Sequence, residues 1–424
     1  MLSDKFISII YVIAWIVTYL VYQKKKKIFD AGSFILLSYL FYSIISCILI
    51  DNHFYRFNKL HLFPYVYLFI ALYIGLVPIL KFQADGSIPI RRPSMFYIHL
   101  ICFICIVSSL IDIPSAIINF TSGMRSLLID SAAGADLYAS SQVNAGDAGH
   151  GVSNLSAIIS GALSGIKYLM LIYYLTLENK RSWIVLGLVL SCFMGIISGV
   201  SVGQRGAIIE PLLIIISTFF FLKKYLNKRC KIIFRYLGIF VIILLSIPLI
   251  LITISRFDNN KTTPVDSVLF YTGQANLYFN NFALDDNGIR YGDRIVPLFK
   301  KLLLFQNVPN NFIERRNKYP NLYVNDEVFI TYVGDFAIDF GPVVAFILLV
   351  SLSFSITRNT KNHNNEYYFH QIVLLHMVLY ICTMGGLKLF SFSDIAGNLK
   401  LIVYLLTYFC FKNIFISPKS KYGK

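Results

Sequence analysis

Residues 255–341 read SRFDNNKTTPVDSVLFYTGQANLYFNNFALDDNGIRYGDRIVPLFKKLLLFQNVPNNFIERRNKYPNLYVNDEVFITYVGDFAIDFG and form the only long stretch of this chain that could fold outside a lipid bilayer. The stretch carries Arg256, Arg290, Arg294, Arg315 and Arg316, the carboxylates Asp326, Glu327, Asp335 and Asp339, and many tyrosines and asparagines. On either side the chain is overwhelmingly apolar. A chain so divided concentrates its chemistry in one large loop and uses the remainder to hold that loop at a membrane face.

Composition supports this division. The 424 residues are 56% hydrophobic and only 14% charged, with a mean hydropathy of +0.65. Soluble domains carry about a quarter of their residues charged, so the expected class is an all-α polytopic membrane protein. Apolar runs near 5–22, 33–50, 62–80, 95–111, 154–177, 183–202, 207–222, 232–254, 340–356, 367–386 and 399–415 predict about 11 transmembrane helices, each close to the ~20 residues a span requires. Residues 1–254 then hold the first eight helices, 255–339 a large exoplasmic loop, and 340–424 the last three.

The net charge of +16 does not indicate nucleic acid. The basic residues cluster in short loops: Lys24–Lys27, Lys81 with Arg91 and Arg92, Lys180–Arg181, Lys223–Lys231, Arg358 with Lys361, and the C-terminal lysines. With alternating helices all of these fall on one side, which the positive-inside rule makes cytoplasmic. The N-terminus then lies outside. The first apolar run is followed, not preceded, by its lysines, the reverse of a signal peptide, so a retained helix is expected. The seven cysteines show no disulfide framework or zinc pattern; the CxxC spacing of Cys102 and Cys105 on an apolar helix is expected to be packing.

The loop at Asp112–Ser153 is rich in small residues and reads as a mobile lid or a connector. Within the large loop, Phe270–Phe282 and Ile295–Phe305 carry apolar residues at helical spacing, predicting short helices lying on the membrane surface. Gly161 and Gly165 form a GxxxG pair expected to serve close intramolecular packing. Lys167 and Glu210 are the two deep intramembrane charges. A lysine at that depth costs about 2.5–3.5 kcal/mol on insertion, so Lys167 should face the bundle interior.

Candidate chemistry begins with the Gly203-Gln204-Arg205-Gly206 turn. Its glycines permit a tight reversal that holds Arg205 at the mouth of the bundle. Arg256 reaches a matching depth. Two guanidinium groups at one face suit a diphosphate, since each offers a bidentate, permanently charged fork; the same placement would also suit contact with lipid headgroups. Asp335 and Asp339 lie four apart and share a helical face. Two carboxylates so close should raise one pKa, as a general base requires; alternatively they stabilise a helix N-terminus. Tyr271, Tyr278, Tyr291 and Tyr323 could stack on sugar faces or anchor the interface.

The order of GQRG between helices, an arginine after a later helix, then YTGQANLYFNNF, YGDRIVP and NLYVNDEVFITYVGDFAIDFG resembles the Wzy-type O-antigen polymerases, a family of oligosaccharide repeat-unit polymerases of Gram-negative inner membranes. The resemblance covers residues 200–350 at motif level. It implies a GT-C-like architecture and a metal-independent glycosyltransferase without cofactor. The growing undecaprenyl-pyrophosphate-linked glycan would pass to a new lipid-linked repeat unit at the periplasmic face. It further implies Asp335 and Asp339 as catalytic, Arg205, Arg256, Arg290 and Arg294 as pyrophosphate-binding, and Tyr271, Gln274, Asn276, Tyr278, Tyr323 and Asn325 as sugar-binding. The implied partners are lipid-linked oligosaccharides, membrane lipids and a chain-length regulator protein. An O-antigen ligase would carry a catalytic histidine in the loop, and residues 255–341 contain none. A flippase or transporter should show internal repeats and charges inside its helices; no repeat is visible. A membrane O-acyltransferase would need a histidine deep in the bundle, for which only His99, His370 and His376 are available.

Overall fold

The computed structural model describes residues 3–82, 86–111, 113–129, 158–201, 203–257, 263–324, 328–362 and 365–414. They are mostly helical. The first five helices are α1 (Asp4–Lys26), α2 (Ala31–Leu49), α3 (Leu62–Lys81), α4 (Met95–Leu110) and α5 (Ile113–Ile129). Then come α6 (Ser164–Thr176), α7 (Ser182–Ser201), α8 (Gly206–Leu222) and α9 (Lys228–Phe257). The former loop region contributes α10 (Pro264–Tyr278), α11 (Pro297–Leu303), α12 (Phe312–Lys318) and α13 (Thr331–Phe340). The chain closes with α14 (Pro342–Asn359), α15 (Phe369–Gly385) and α16 (Asp394–Phe409). Two residues each of β1 (Ile90–Arg91) and β2 (Tyr367–Tyr368) pair in parallel, tying the loop after α3 to the start of α15.

Among the described residues, eight helices are long and apolar enough to cross a membrane: α1, α2, α3, α7, α8, α9, α14 and α16. The chain is a multi-pass, membrane-embedded helical protein. Each expected span overlaps a helix. However, α4 with 16 residues, α15 with 17 and α6 with 13 are shorter, and at 1.5 Å per residue they fall below the ~30 Å of a hydrocarbon core.

Burial separates the helices by role. All of α15 except His370 and Ile381 is buried, so a helix apolar on nearly every side has become the centre of the bundle. In α9 the reverse holds: Ile232, Ile233, Leu237, Phe240, Ile243, Leu244, Ile247 and Ile250 all lie exposed, the surface a lipid-facing helix presents. Local sequence sets the ends. Asp30 and Ser33 form a capping box at α2. Gly341 at φ +79° and Pro342 at the first helical position stop α13 and restart the chain as α14.

Three expectations about the loops change. Residues 113–129, expected in an outer loop, form α5, whose Gly123 lies against the Ser201 backbone of α7; the rest of that loop, including its most Gly-rich part, lies outside the described residues. The surface helix expected over Phe270–Phe282 is instead α10 followed by a π-helical turn, and it packs into the bundle against α2. There Gly273 approaches the Ile45 backbone so closely that a Cβ would sit 3.1 Å from it. The Ser46 hydroxyl donates to the Gly273 carbonyl at 2.7 Å. The buried Asn276 amide then donates to Ser46 Oγ at 3.0 Å. Finally, α16 starts at Asp394 rather than 399, which carries Lys400 into the helix.

Candidate active site

The segment Asp286–Val296 is bound to the end of α13 by reciprocal bonds. The last carbonyls of a helix lack intrahelical partners. Here the Arg290 amide donates to Ile338 O at 3.0 Å and the Gly292 amide to Asp339 O at 3.2 Å. In return the Asp339 carboxylate, through Oδ2, accepts from the amides of Arg294 at 3.0 Å and Ile295 at 2.7 Å. Gly292 at φ +81° makes this turn possible.

Side chains complete a buried tetrad. Arg290 Nη2 donates to Asp335 Oδ1 at 2.8 Å. Its Nε lies 2.7 Å from Asp339 Oδ1, and Arg294 Nε lies 3.1 Å from Asp335 Oδ1. The last two are close ion pairs off the hydrogen-bond axis. Asp335 and Asp339 are fully buried, and the two arginines nearly so. The sequence reading assigned the aspartates to catalysis and the arginines to pyrophosphate; the structure makes them one another's partners. The shared face of Asp335 and Asp339 exists, but it points at arginine. Burial and the neighbouring Asp335 charge push Asp339 above the usual carboxylate range, against the pull of Arg290 and the two backbone amides.

Further contacts extend the clamp. Asp293 is buried among Lys300, Lys318 and the Tyr319 hydroxyl. Burial opposes its ionisation, but these three donors hold it below the usual range. The Asp394 amide donates to Arg294 O at 2.8 Å, and Arg315 Nη1 donates to Asp394 Oδ1 at 2.8 Å. The Asn398 amide donates to the carbonyls of Ile295 and Phe392, both at 2.8 Å. The polar loop is thereby fastened to the first turns of α16.

Beside this clamp lies a cavity of about 480 Å³. Arg294, Lys388, Lys400, Glu210 and Asp394 line it together with Phe329 and Phe390, and Gly161 leaves open space at its wall. Lys388 pairs with Glu210, which also accepts the Tyr380 hydroxyl. Burial alone would lower the Lys388 pKa, but Glu210 raises it above the ordinary lysine range. Lys400 Nζ lies 4.9 Å from the Tyr380 ring centroid, a cation–π contact. Lys167 is buried, as its depth required, near enough to Lys400 for mutual repulsion. Among the described residues no group of three or more His, Cys, Asp or Glu could hold a metal.

The GQRG turn is tight, as its glycines predict, with Gly203 at φ +66° and the Gln204 amide donating to Gly199 O at 2.9 Å. It places Arg205 with its guanidinium 5.0 Å from the centroid of the Tyr271 ring, which meets Phe329 of the cavity wall edge-on. Arg205 thus stands one aromatic ring from the cavity. Arg256 belongs to the last turn of α9, and its side chain lies outside the described residues, as does Asn325. Gln274 and Asn276 are buried, Asn276 against Ser46 of α2. Tyr278 is half-buried among Phe57, Phe270 and Phe282. Tyr323 is exposed and lines a separate cleft with Arg290, Arg315, Arg316 and Tyr319.

Lys388 and Lys400 were missed from sequence. Their signal was present: two lysines twelve apart around an Asp-containing turn between apolar runs. A neighbouring feature was not legible. An apolar groove of about 570 Å³ between α2, α8 and α10 is lined by Phe34, Leu37, Phe41, Ile209, Tyr271 and Leu387. Ile209 and Leu387 each immediately precede in the chain a residue of the cavity, Glu210 and Lys388. No family model matches the chain, and neither a curated protein nor a solved structure is significantly similar to it.

Proposed function

We propose that this protein is a membrane glycosyltransferase acting on a lipid-pyrophosphate-linked oligosaccharide, most specifically an O-antigen repeat-unit polymerase of the inner membrane with its site facing the periplasm. The observation that carries the reading is a cation-lined cavity next to an apolar groove, with Ile209 and Leu387 of the groove adjoining Glu210 and Lys388 of the cavity in the chain. Arg294, Lys388 and Lys400 can neutralise a diphosphate, while the groove accepts a long apolar chain. An amphiphile with a charged diphosphate at one end of an isoprenoid is the ligand that needs both. The order of motifs along residues 200–350 adds the resemblance to the polymerases.

The chemistry follows from charge. A pyrophosphate is a weakly basic leaving group, so stabilising its departing charge is the main catalytic demand, and preorganised cations meet it. The acceptor hydroxyl must lose a proton. Asp335 and Asp339 are buried among arginines, whereas Asp394, although one oxygen takes Arg315, lines the cavity with a partly exposed side chain; on this reading Asp394 is the better-placed base. Arg290 and Arg294 position the loop, with Arg294 also edging the cavity.

A second reading is translocation of the same lipid-linked sugar. It is favoured by the charges gathered inside the bundle, where Lys400 and Lys388 join Lys167 and Glu210; such residues mark transport paths. Deleting the gene in its host and resolving the lipopolysaccharide on a gel separates the two. Core bearing a single repeat supports the polymerase, and bare core supports the transporter or a ligase. An unchanged ladder overturns every version of the proposal.

A further inference from the structure

At the end of the bundle rich in lysine and arginine, α3, α14 and α15 part around a second groove of about 580 Å³. Its floor is apolar: Ile74, Val77, Pro78, Val350, Phe354 and Leu375. Sequence explains the gap. Pro78 has no N–H, so the Ile74 carbonyl four residues earlier loses its helical donor. The Ser353 hydroxyl of α14 supplies one at 2.6 Å. A small side chain therefore stands where a larger one would close the helices together.

The rim is cationic. Lys81, Arg358 and Lys361 line the groove, all three exposed. Among the described residues none of them is ion-paired with a carboxylate. Between rim and floor the Thr357 hydroxyl is buried without a hydrogen-bond partner among the described residues. A buried, unpaired hydroxyl is costly unless something accepts from it.

We propose that this groove is a binding site for one anionic phospholipid. Its phosphate would sit on Lys81, Arg358 and Lys361, its ester region would accept from Thr357, and one acyl chain would run between α3 and α14. Charge complementarity selects the headgroup, because basic pockets between transmembrane helices favour anionic lipids. The apolar floor selects a lipid over a soluble phosphate. The site lies apart from the cavity at Arg294, Lys388 and Lys400, and the proposal stands whether or not that cavity transfers sugars.

The test is native mass spectrometry of the full chain released from detergent with phosphatidylglycerol or phosphatidylcholine of identical acyl chains. The expected result is selective retention of one phosphatidylglycerol. At about a fivefold contribution per cation, replacing Lys81, Arg358 and Lys361 together by alanine should weaken retention on the order of 100-fold. Val350→Trp, which keeps the cations but fills the groove, should also abolish it. Equal retention of both lipids, full displacement by glycerol phosphate, or undiminished retention in the triple variant would overturn the site. Should the triple variant not fold, photoactivatable phosphatidylglycerol on the wild-type chain decides. Crosslinks on α3 and α14 support the site, and crosslinks confined elsewhere overturn it.

Discussion

Replacing Asp339 by asparagine separates a structural carboxylate from a catalytic one. Its carboxylate forms an ion pair with Arg290 at 2.7 Å and accepts two backbone amides, at 3.0 and 2.7 Å. Asparagine is nearly isosteric and keeps one carbonyl acceptor, so it removes charge without opening a cavity. It leaves Arg290 buried with Asp335 as its remaining carboxylate. Removing one partner of a buried ion pair costs about 3–5 kcal/mol. Asparagine should fall near the lower end, because its carbonyl in the place of Oδ2 can still receive both amides; alanine, which leaves both amides without their acceptor, should fall near the upper end. Equilibrium unfolding in mixed micelles, followed by the fluorescence of Trp15 and Trp183, would read the difference. The same loss should appear for Asp335→Asn, and the two losses should be non-additive because both bind Arg290. A general base would behave otherwise. If Asp339→Asn keeps wild-type stability yet abolishes polymer synthesis, the clamp is wrong and Asp339 returns to the chemistry.

Other outcomes are equally specific. Lys388→Ala and Lys400→Ala should each insert stably but slow transfer by roughly 10²–10³-fold, the loss typical of one charge-stabilising group, read as shortened ladders in a deletion host. Lys388 is held above its ordinary pKa by Glu210, so its charge persists as pH rises through the ordinary lysine range and is lost only above it. In Glu210→Gln burial, the largest influence on Lys388, is no longer offset by Glu210 and lowers that pKa, so binding of inorganic pyrophosphate should decline at lower pH than in wild type; coincident profiles would remove this pairing. If, as proposed, the cations neutralise the leaving group, activity should survive EDTA, and restoration by magnesium after a loss would refute that. In a background lacking Cys47, Cys230 and Cys410, a cysteine at Asp285 should label from outside intact cells and one at Asn227 should not; the inverse result reverses the topology.

The helical spans were legible because apolar runs of about 20 residues admit few alternatives in a bilayer. The GQRG turn, the burial of Lys167 and the shared face of Asp335 and Asp339 were legible for similar local reasons. What local pattern could not supply was the partner. Arg290 and Arg294 lie 45 residues from Asp335 and Asp339, and nothing in either segment announces that a loop will cap the other's helix. Exposed acids and bases in a loop looked like chemistry because pairing across such a separation is a tertiary fact. The same limit hid where α10 packs. Its helical spacing was legible but read as a helix on the membrane surface, although Gly273 and Asn276 are also what a helix uses to approach Ile45 and Ser46 closely.

Seen as a device, the clamp solves a problem set by the membrane. On the proposed function, a sugar-phosphate site at a bilayer face needs cations fixed in space, yet a loop of more than eighty residues is the least fixed part of such a chain. Four charges buried in mutual contact would be a weak way to gain stability, since desolvation offsets most of their attraction. Their geometric demand is strict, however. Arg290 can meet both Asp335 and Asp339 only when the turn at Gly292 is docked on α13, and the Asp394 amide reaches the Arg294 carbonyl only when α16 is in place. That arrangement ties Arg294 and the start of α16, with Asp394 and Lys400, into one rigid unit around the cavity. Asp394 and Lys400, which line the cavity, are thus held in place by a unit that contains the charges the sequence reading singled out.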